Sequence, residues 1–427
     1  MRTERFYDTG REDQRYAAER DHDRILYSSY FHRLAGVTQV VRAGEGDVFH
    51  TRQQHTHKAA QIGRRLAQKL VRIQNNRGIA CKNLDSEVVA AAALAHDLGH
   101  PPFGHVGETV LNNLVQKCGE EGYEGNAQTF RILTKLAVRF PFEIGLNLTR
   151  ATLCATLKYP WIRDPDDENR SKKWSAYASE RELFAWARAG QKEGAQSLEA
   201  YLMDWADDIA YSVHDLEDFH RCNLIPWGLI LDDDTERKRL IQKTKAKWHG
   251  RPADAERRLD FAFDNLLEVF DLWAADLQRK YDGSRELRAS LREMTSALVG
   301  NFIGETTITP LGSIRIPEIT RDTVLLMKQI TRDYIISNPA LAAQQKGHER
   351  IVTEVFTIIH SDTEEVGGTI NPPTYLPQRF EYLSSLTDKK SRFVADCISG
   401  LTERELTELH ARLTGISYGS VLDPIVR

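Results

Sequence analysis

The sequence predicts an all-α fold, mainly helical, with one short β-hairpin. Most of the chain has apolar residues at three- and four-residue spacing, the period of an amphipathic helix, and few runs alternate as strands do. The segment TITPLGSIRIP (307–317) differs, because β-branched residues flank a Leu-Gly-Ser turn and indicate a hairpin. Stretches rich in turn formers or charge divide the helices at 42–47, 119–126, 159–173, 280–286 and 364–379.

The composition is that of an ordinary soluble protein. Of the 427 residues 41% are hydrophobic and 28% charged, and the formal charge is -4, so a strongly basic nucleic-acid-binding surface is not indicated. The five cysteines are scattered and form no CxxC pair, which argues against a disulfide framework or a cysteine zinc site. The charged N-terminus lacks the apolar segment of a signal peptide, and no run approaches the ~18 apolar residues of a membrane span. We therefore expect a cytoplasmic protein with no membrane contact.

The first helix with chemical interest lies in HTRQQHTHKAAQIGRRLAQKLVRI (50–73). One apolar stripe at helical spacing is formed by Ala59, Ile62, Leu66, Leu70 and Ile73. Extending this stripe back by one turn reaches His55, whereas His57 points about 200° away and is expected on the outer face. A single histidine on a buried face is more often a core residue than a metal ligand. His55 is therefore a ligand candidate only together with the residues described next.

The second helix is expected to begin with Asp85 or Ser86 as its N-cap and to run through EVVAAAALAHDLG. Its last turn carries His96 and Asp97, which point about 100° apart and can approach one ion from the same helix end. Glycine and a Pro-Pro pair then stop the helix and project His100 and His105 back toward that end. The alternative is an ordinary surface terminus, where the helix dipole favours histidine but disfavours aspartate.

The third helix lies in SLEAYLMDWADDIAYSVHDLEDFH (197–220). Its apolar stripe consists of Leu198, Leu202, Trp205, Ile209, Val213 and Leu216. Asp207, Tyr211 and Asp215 lie on the other side at i, i+4 and i+8. A solvated acidic face is the simpler interpretation, but carboxylates at this spacing repel one another unless a cation is near.

Together the three helices offer His55, His96, Asp97 and Asp207, that is, two imidazole nitrogens and two carboxylates. Such a mixed set suits a divalent metal ion, Mg²⁺, Mn²⁺ or another transition metal, with coordination positions left for water and phosphate.

The order H…HD…D resembles that of the HD-domain metal-dependent phosphohydrolases. HDLGHPPFGHVGE (96–108) and ADDIAYSVHDLED (206–218) are similar to the deoxyguanosine triphosphate (dNTP) triphosphohydrolase family in particular. Further similar segments, from DRILYSSYFHRL (23–34) to ISGLTERELTELHARLTG (398–415), extend the resemblance over nearly the whole chain. The resemblance implies a helical fold and hydrolysis of deoxynucleoside triphosphates, dGTP or several dNTPs, to deoxynucleoside and inorganic triphosphate by attack at the α-phosphorus.

The resemblance also implies a role for each matching residue. The metal ligands are His55, His96, Asp97 and Asp207, and the catalytic pair is His105 and Glu108. Groups near the phosphates are Arg52, His100, Lys158 and Tyr159, with Lys173 as a further cation. Groups around the deoxyribose are Gln39, Tyr211 and Asp215. The catalytic pair fits either of two roles. His105 could protonate the leaving 5′-oxygen, or His105 and Glu108 could activate the attacking water.

The resemblance divides the chain into an N-terminal helical segment (1–50) that contributes to the nucleotide pocket, an HD core (51–225) and a C-terminal helical region (226–427) that completes the pocket and the oligomer contacts. It implies a homo-oligomer, often a hexamer in this family, and regulation by a second dNTP or single-stranded DNA. Two other functions fit the same motif: an HD phosphohydrolase of nucleoside monophosphates or cyclic nucleotides, and a non-catalytic nucleotide-sensing or nucleic-acid-binding module.

Overall fold

The fold was derived from a computed structural model, which describes residues 2–7, 10, 13–39, 50–78, 84–141, 144–248, 250, 252–336 and 339–417. Helices dominate, which confirms the predicted fold class. The expected break at 42–47 lies outside the described residues. The α-helices are α1 (Ala17–Leu26), α2 (Ser29–Arg33), α3 (Arg52–Arg77), α4 (Ser86–Ala95), α5 (Gly104–Lys117), α6 (Gly125–Arg131), α7 (Arg150–Ala155), α8 (Arg181–Ala187), α9 (Leu198–Arg221), α10 (Trp227–Asp232), α11 (Asp234–Lys247), α12 (Ala255–Asp271), α13 (Ala274–Gln278), α14 (Arg285–Glu305), α15 (Glu318–Thr331), α16 (Pro339–Asp362), α17 (Lys390–Ser399) and α18 (Glu403–Leu413).

Shorter helical segments of tighter or wider pitch join these helices. The 3₁₀ segments are Leu34–Gly36, Ala178–Glu180 and Gln378–Leu386, and the π segments are Ile132–Leu136 and Arg332–Ile336. No helix among the described residues is both long and apolar enough to cross a lipid bilayer.

The described residues contain two small antiparallel strand pairs. β1 (Thr307–Ile308) pairs with β2 (Ile314–Arg315), which confirms the predicted hairpin. β3 (Glu364–Val366) pairs with β4 (Thr369–Asn371), where we expected only a break. Gly367 and Gly368 have φ of 62° and 80°, the two positive values that a tight hairpin turn requires. The Gly-Gly pair therefore indicated a hairpin, although we interpreted the whole segment 364–379 as a break between helices.

Helix α4 forms the centre of the HD region. All of its residues from Val88 to Ala95 are buried, and α1, α3 and α9 pack around it. Small side chains permit this close packing: a β-carbon on Gly63 of α3 would lie 2.9 Å from Val89 and 3.4 Å from Ala206 of α9. The three helices with candidate metal ligands thus meet where a helix of alanines allows their backbones to approach.

Local signals fix where these helices begin. Thr51 caps α3, and Gln54 returns the bond, because its side chain accepts from the Thr51 backbone N–H at 3.0 Å. Asp85 is the N-cap of α4 and accepts from the Glu87 N–H at 2.8 Å, so the first of the two expected caps is the one used. α4 ends at Ala95, and His96 is its C-cap rather than part of a further turn.

The C-terminal helices are attached to the HD region by packing and by buried charge. α15 packs against α9, and α16 packs against α5. Arg131 of α6 is fully buried and donates to Asp396 of α17 at 2.7 Å and to Glu180 at 2.8 Å. Two carboxylates from different parts of the chain thus share one buried guanidinium, which ties α17 to the HD region.

Candidate active site

Three helices bring one potential metal ligand each to a common point. His55 of α3, His96 at the end of α4 and Asp207 of α9 each offer an atom, and these atoms lie within 4.8 Å of one another. Asp207 Oδ1 lies 3.0 Å from His55 Nε2 and 3.3 Å from His96 Nε2. Both imidazoles are buried. His57 is exposed, as expected for the outer face of α3.

The environment of His96 fits a cation between these groups. His96 Nδ1 lies 2.7 Å from the Ala93 carbonyl oxygen and therefore carries the hydrogen. In the neutral ring Nε2 then carries a lone pair. This atom lies 3.4 Å from Asp97 Oδ1 and has no hydrogen-bond partner among the described residues. Burial lowers the pKa of His96, but the Asp97 and Asp207 carboxylates outweigh it and raise this pKa to about 9. Either a proton or a divalent metal ion relieves that arrangement, and two imidazoles with a carboxylate form a suitable donor set.

The fourth predicted ligand, Asp97, lies at the edge of this cluster. Its Oδ2 accepts from Arg52 Nη1 at 2.6 Å, and its Oδ1 lies 3.0 Å from His100 Nδ1. Burial raises the pKa of Asp97, but the charge of Arg52 and the neighbouring histidines hold it well below its usual range. Arg52, expected near the phosphates, is thus paired with this carboxylate. The ligand role of Asp97 stays a prediction.

The acidic side of α9 is matched by lysines from other parts of the chain. Lys158 Nζ lies 2.7 Å from Asp204 and 3.1 Å from Asp207 Oδ2. Lys328 is bonded to Asp208. This side of α9 is therefore not a solvated acidic face. Asp207 presents one oxygen to the histidines and the other to Lys158.

The predicted catalytic pair lies on the first turns of α5. His105 Nδ1 is 3.0 Å from Glu108 Oε2, and the His105 side chain is 73% exposed while that of Glu108 is 9% exposed. Glu108 Oε1 accepts from the Gly125 N–H at 3.1 Å and from Lys173 Nζ at 2.9 Å. Burial raises the pKa of Glu108, but the bond to His105 and the charge of Lys173 hold it well below its usual range. The buried Glu108 carboxylate, itself bonded to Gly125 and Lys173, thus orients the exposed His105 imidazole.

Lys173 also contacts a second buried carboxylate, since its Nζ lies 3.0 Å from Glu124. Glu124 caps α6 by accepting from the Asn126 and Ala127 N–H groups at 2.6 and 3.0 Å. The sequence placed Lys173 among the phosphate-side cations. The structure pairs it with the carboxylate behind His105.

The turn between His96 and α5 depends on glycine. A β-carbon on Gly99 would lie 2.1 Å from the Gly125 carbonyl oxygen of α6, and one on Gly107 would lie 2.1 Å from that of Pro102. Phe103, the N-cap of α5, has a φ of 66° in the left-handed region. His100 is buried in this turn; burial and the charge of Arg52 lower its pKa to about 4, so the ring is neutral.

One cavity of about 550 Å³ gathers the candidate residues. Ten of the thirteen predicted site residues line it, namely Gln39, Arg52, His96, Asp97, His100, His105, Lys158, Tyr159, Asp207 and Tyr211. The other three do not line it. His55 contacts Asp207, Glu108 contacts His105, and Asp215 lies one helical turn beyond Tyr211.

Two residues predicted to hold the deoxyribose each have a buried polar atom with no hydrogen-bond partner among the described residues. The atoms are Gln39 Oε1 and Asp215 Oδ2. Burial and the neighbouring Asp218 raise the pKa of Asp215 well above its usual range. Such atoms are costly to bury unless a ligand or water satisfies them.

The resemblance implied that the C-terminal region completes the pocket, but it assigned no residues there. Arg332, Leu341 and Gln345 of that region line the cavity, and so do Asn126 and Phe103. Arg332 is exposed. On an amphipathic helix such an arginine is indistinguishable from a solvent-facing one, so the helical period gave no signal for it.

Known protein families and individual proteins resemble this chain. Residues 52–212, from the start of α3 into α9, match the HD domain, and residues 314–412 match the phosphohydrolase-associated domain. The chain is 36% identical over 426 residues to a deoxyguanosinetriphosphate triphosphohydrolase-like protein of Streptomyces coelicolor, covering 94% of this chain and 93% of that one. Proteins of the same name from Corynebacterium glutamicum and Bifidobacterium longum are each 34% identical, over 95% and 93% of this chain and 93% and 83% of theirs.

Proposed function

Because this chain belongs to the deoxyguanosinetriphosphate triphosphohydrolase-like family of HD-domain phosphohydrolases, we propose that it is a metal-dependent hydrolase of deoxynucleoside triphosphates. The products are a deoxynucleoside and inorganic triphosphate. The observation that carries the proposal is the convergence of His55, His96 and Asp207, the last two of which line a cavity that is also lined by cationic side chains.

The charge distribution of the cavity suits a polyphosphate. Arg52, Lys158, Lys173 and Arg332 all line it, and a triphosphate ester brings several negative charges that these side chains would offset. When bound, a divalent ion held by His55, His96 and Asp207 would supply Lewis-acid polarisation of a phosphoryl oxygen. Asp97 would complete the ligand set.

His105 is the group that moves a proton. Its Nδ1 is occupied by Glu108, so Nε2 is the atom that faces outward from an exposed side chain. A water oxygen bonds to the α-phosphorus and the bond from that phosphorus to the 5′-oxygen breaks, so the departing oxygen needs a proton. His105 Nε2 either donates that proton or takes one from the attacking water, and the Glu108 carboxylate holds the charged ring in both cases.

The residues predicted at the sugar end of the cavity support a deoxyribose. Gln39 lines the cavity, and its buried Oε1 is an acceptor that a sugar hydroxyl would satisfy. Tyr211 also lines the cavity, and its ring would pack against C2′ and leave no room for a second hydroxyl. Asp215 stays a predicted sugar-side group. Exclusion of this kind is worth ~1–3 kcal/mol.

Other properties of the family stay predictions for this chain. They are the division at residues 50 and 225, the cytoplasmic location, the homo-oligomer, and regulation by a second dNTP or single-stranded DNA.

The test is product analysis by ion-exchange chromatography after incubation with Mn²⁺ and each dNTP, singly and mixed. We expect inorganic tripolyphosphate and deoxynucleoside. Orthophosphate or pyrophosphate would instead indicate another HD phosphohydrolase, and nucleotide binding without any product would indicate a sensing module.

A pair of variants on one face of α9 tests the metal assignment. Asp207→Asn should abolish both turnover and Mn²⁺ binding, because it removes the anionic oxygen that faces the two histidines. Asp204→Asn alters a carboxylate that contacts Lys158 but no histidine, so Mn²⁺ binding should persist. Equal Mn²⁺ affinity in the two variants would remove Asp207 from the ligand set.

A further inference from the structure

We propose that Arg33 and Glu403 are positioning residues of the active site, through which the start of α18 and the segment before it hold the catalytic turn in place. Neither side chain lies in the cavity wall near the cluster. Both act on backbone groups of the segments that carry the candidate residues.

Arg33, at the end of α2, is buried and binds three carbonyl oxygens. Nη2 donates to Leu98 O at 2.9 Å and to His100 O at 2.7 Å, within the turn that follows His96 and Asp97. Nη1 donates to Leu401 O at 3.0 Å. The three carbonyls belong to two segments, the turn after Asp97 and the residue before Thr402, and the planar guanidinium joins them.

Glu403, in the first turn of α18, is 3% exposed and joins two other segments. Its Oε1 accepts from the Thr38 N–H at 2.7 Å and from the Phe103 N–H at 3.1 Å. Thr38 precedes Gln39, and Phe103 is the left-handed N-cap from which α5 leads to His105. One carboxylate oxygen therefore sets the sugar-side residue relative to the catalytic helix.

Thr402, which lies between Leu401 and Glu403, is closely packed. A β-carbon on Gly36 would lie 2.9 Å from the Thr402 side chain, and Thr402 forms a capping box with Glu405. Leu401 and Glu403 thus stand on either side of a capped, tightly packed residue. Neither Arg33 nor Glu403 falls in the matched HD domain (52–212), and Glu403 falls in the associated domain (314–412). The associated domain therefore acts directly on the geometry of the HD turn.

The first test uses metal binding and needs no turnover. Arg33→Lys keeps the charge but cannot reach three carbonyls, and Arg24→Lys is its control, because Arg24 is also buried and donates to the Leu146 and Asn147 carbonyls. Titration calorimetry with Mn²⁺ should show a dissociation constant raised by about tenfold or more for Arg33→Lys and nearly unchanged for Arg24→Lys, the size expected for loss of a group that orients ligands. Equal constants in the two variants would overturn the role of Arg33.

The second test is kinetic and rests on the proposed function. Glu403→Ala frees Thr38 and Phe103, and Glu408→Ala is its control, since it removes only an exposed ion pair with Arg404 on the same helix. Because displacement of a catalytic group by about 1 Å costs on the order of a hundredfold, kcat for dGTP should fall about 10- to 100-fold in Glu403→Ala and stay near wild type in Glu408→Ala.

Glu403→Gln keeps an oxygen acceptor and should restore kcat, which a purely electrostatic role would not allow. If Glu403→Ala does not fold, Glu403→Asp replaces it, because the shorter side chain cannot reach both N–H groups. Unchanged kcat and KM in the folded variant, or no rescue by glutamine, would overturn the role of Glu403. Failure of wild-type protein to release tripolyphosphate would refute the proposed function instead, and the Mn²⁺ titration would still decide the role of Arg33.

Discussion

Replacing Lys173 by methionine tests whether a cation controls the carboxylate behind His105. Lys173 Nζ lies 2.9 Å from Glu108 and 3.0 Å from Glu124, both buried. Its backbone is held in place because the Trp161 indole N–H donates to the Lys173 carbonyl at 2.7 Å. Methionine retains most of the stem and removes the ammonium group, with its charge and its hydrogen bonds to both carboxylates.

The size of the effect follows from these distances. Loss of an opposite charge within about 4 Å raises a carboxyl pKa by about 1–3 units, at about 1.4 kcal/mol per unit. Glu108 must be ionised to hold the charged form of His105, so activity is present above the pKa of Glu108 and is lost as the pH falls through it. Since the variant raises this pKa, the acid limb of the kcat profile should move to higher pH by about 1–3 units.

The assay is tripolyphosphate release at saturating dGTP and Mn²⁺ across the acid range. Lys172→Met is the control, because Lys172 is the adjacent residue but pairs at the surface with Glu168. Its profile should match wild type. An acid limb at the same pH in both variants would refute the control of Glu108 by Lys173, and a change confined to KM would show that Lys173 acts on the substrate.

Three further outcomes are expected. Tyr211→Ala should raise kcat/KM for GTP relative to dGTP by about 5- to 150-fold, corresponding to ~1–3 kcal/mol, while Tyr211→Phe keeps the ring and the ratio. An unchanged ratio in Tyr211→Ala would exclude the ring as the discriminator. Arg131→Met leaves the buried Asp396 without its ion-pair partner, although Glu180 keeps Lys135, and should cost about 3–5 kcal/mol, seen as a lower thermal midpoint. Loss of the partly exposed Arg150 pair with Glu4 should cost about 0–1 kcal/mol. Similar midpoints would contradict this. Saturating Mn²⁺ should raise the thermal midpoint of wild type and chelation should reverse it, with about 2.7 kcal/mol expected at a hundredfold excess over Kd; a rise of equal size in Asp207→Asn would argue against the metal site.

The helical period predicted which face of a long helix a candidate residue occupies. His55 lies on α3 and Asp207 lies on α9. On each helix an apolar stripe marks the buried face, so the direction of any other side chain follows from its distance along the sequence. Asp97 was harder to place. The spacing argument assumed that the helix continued through it, but α4 ends at Ala95, so the turn and its bond to Arg52 set the direction of that carboxylate.

Partners that are distant in the chain left no local pattern. Lys158 is 49 residues from Asp207, and Lys328 is 120 residues from Asp208, so the acidic side of α9 appeared uncompensated in the sequence. The same reason explains why Arg332 was missed, because its approach to the cavity depends on how α15 packs against α9. Side-chain types and faces were predictable, whereas pairings set by tertiary packing were not.

Gly99 and Gly107 lie where no side chain fits. Within HDLGHPPFGH and the residues that follow it, substitutions should therefore fail for one of two reasons, loss of folding or loss of chemistry. Any side chain at Gly99 would push α6 away and move the metal ligands with the turn, so such variants should lose abundance in a cell. Substitutions at His96 should leave a folded, abundant and inactive protein. A saturation scan that records abundance and activity side by side would therefore split this motif into positions that preserve space and positions that perform chemistry, although an activity score alone ranks them together.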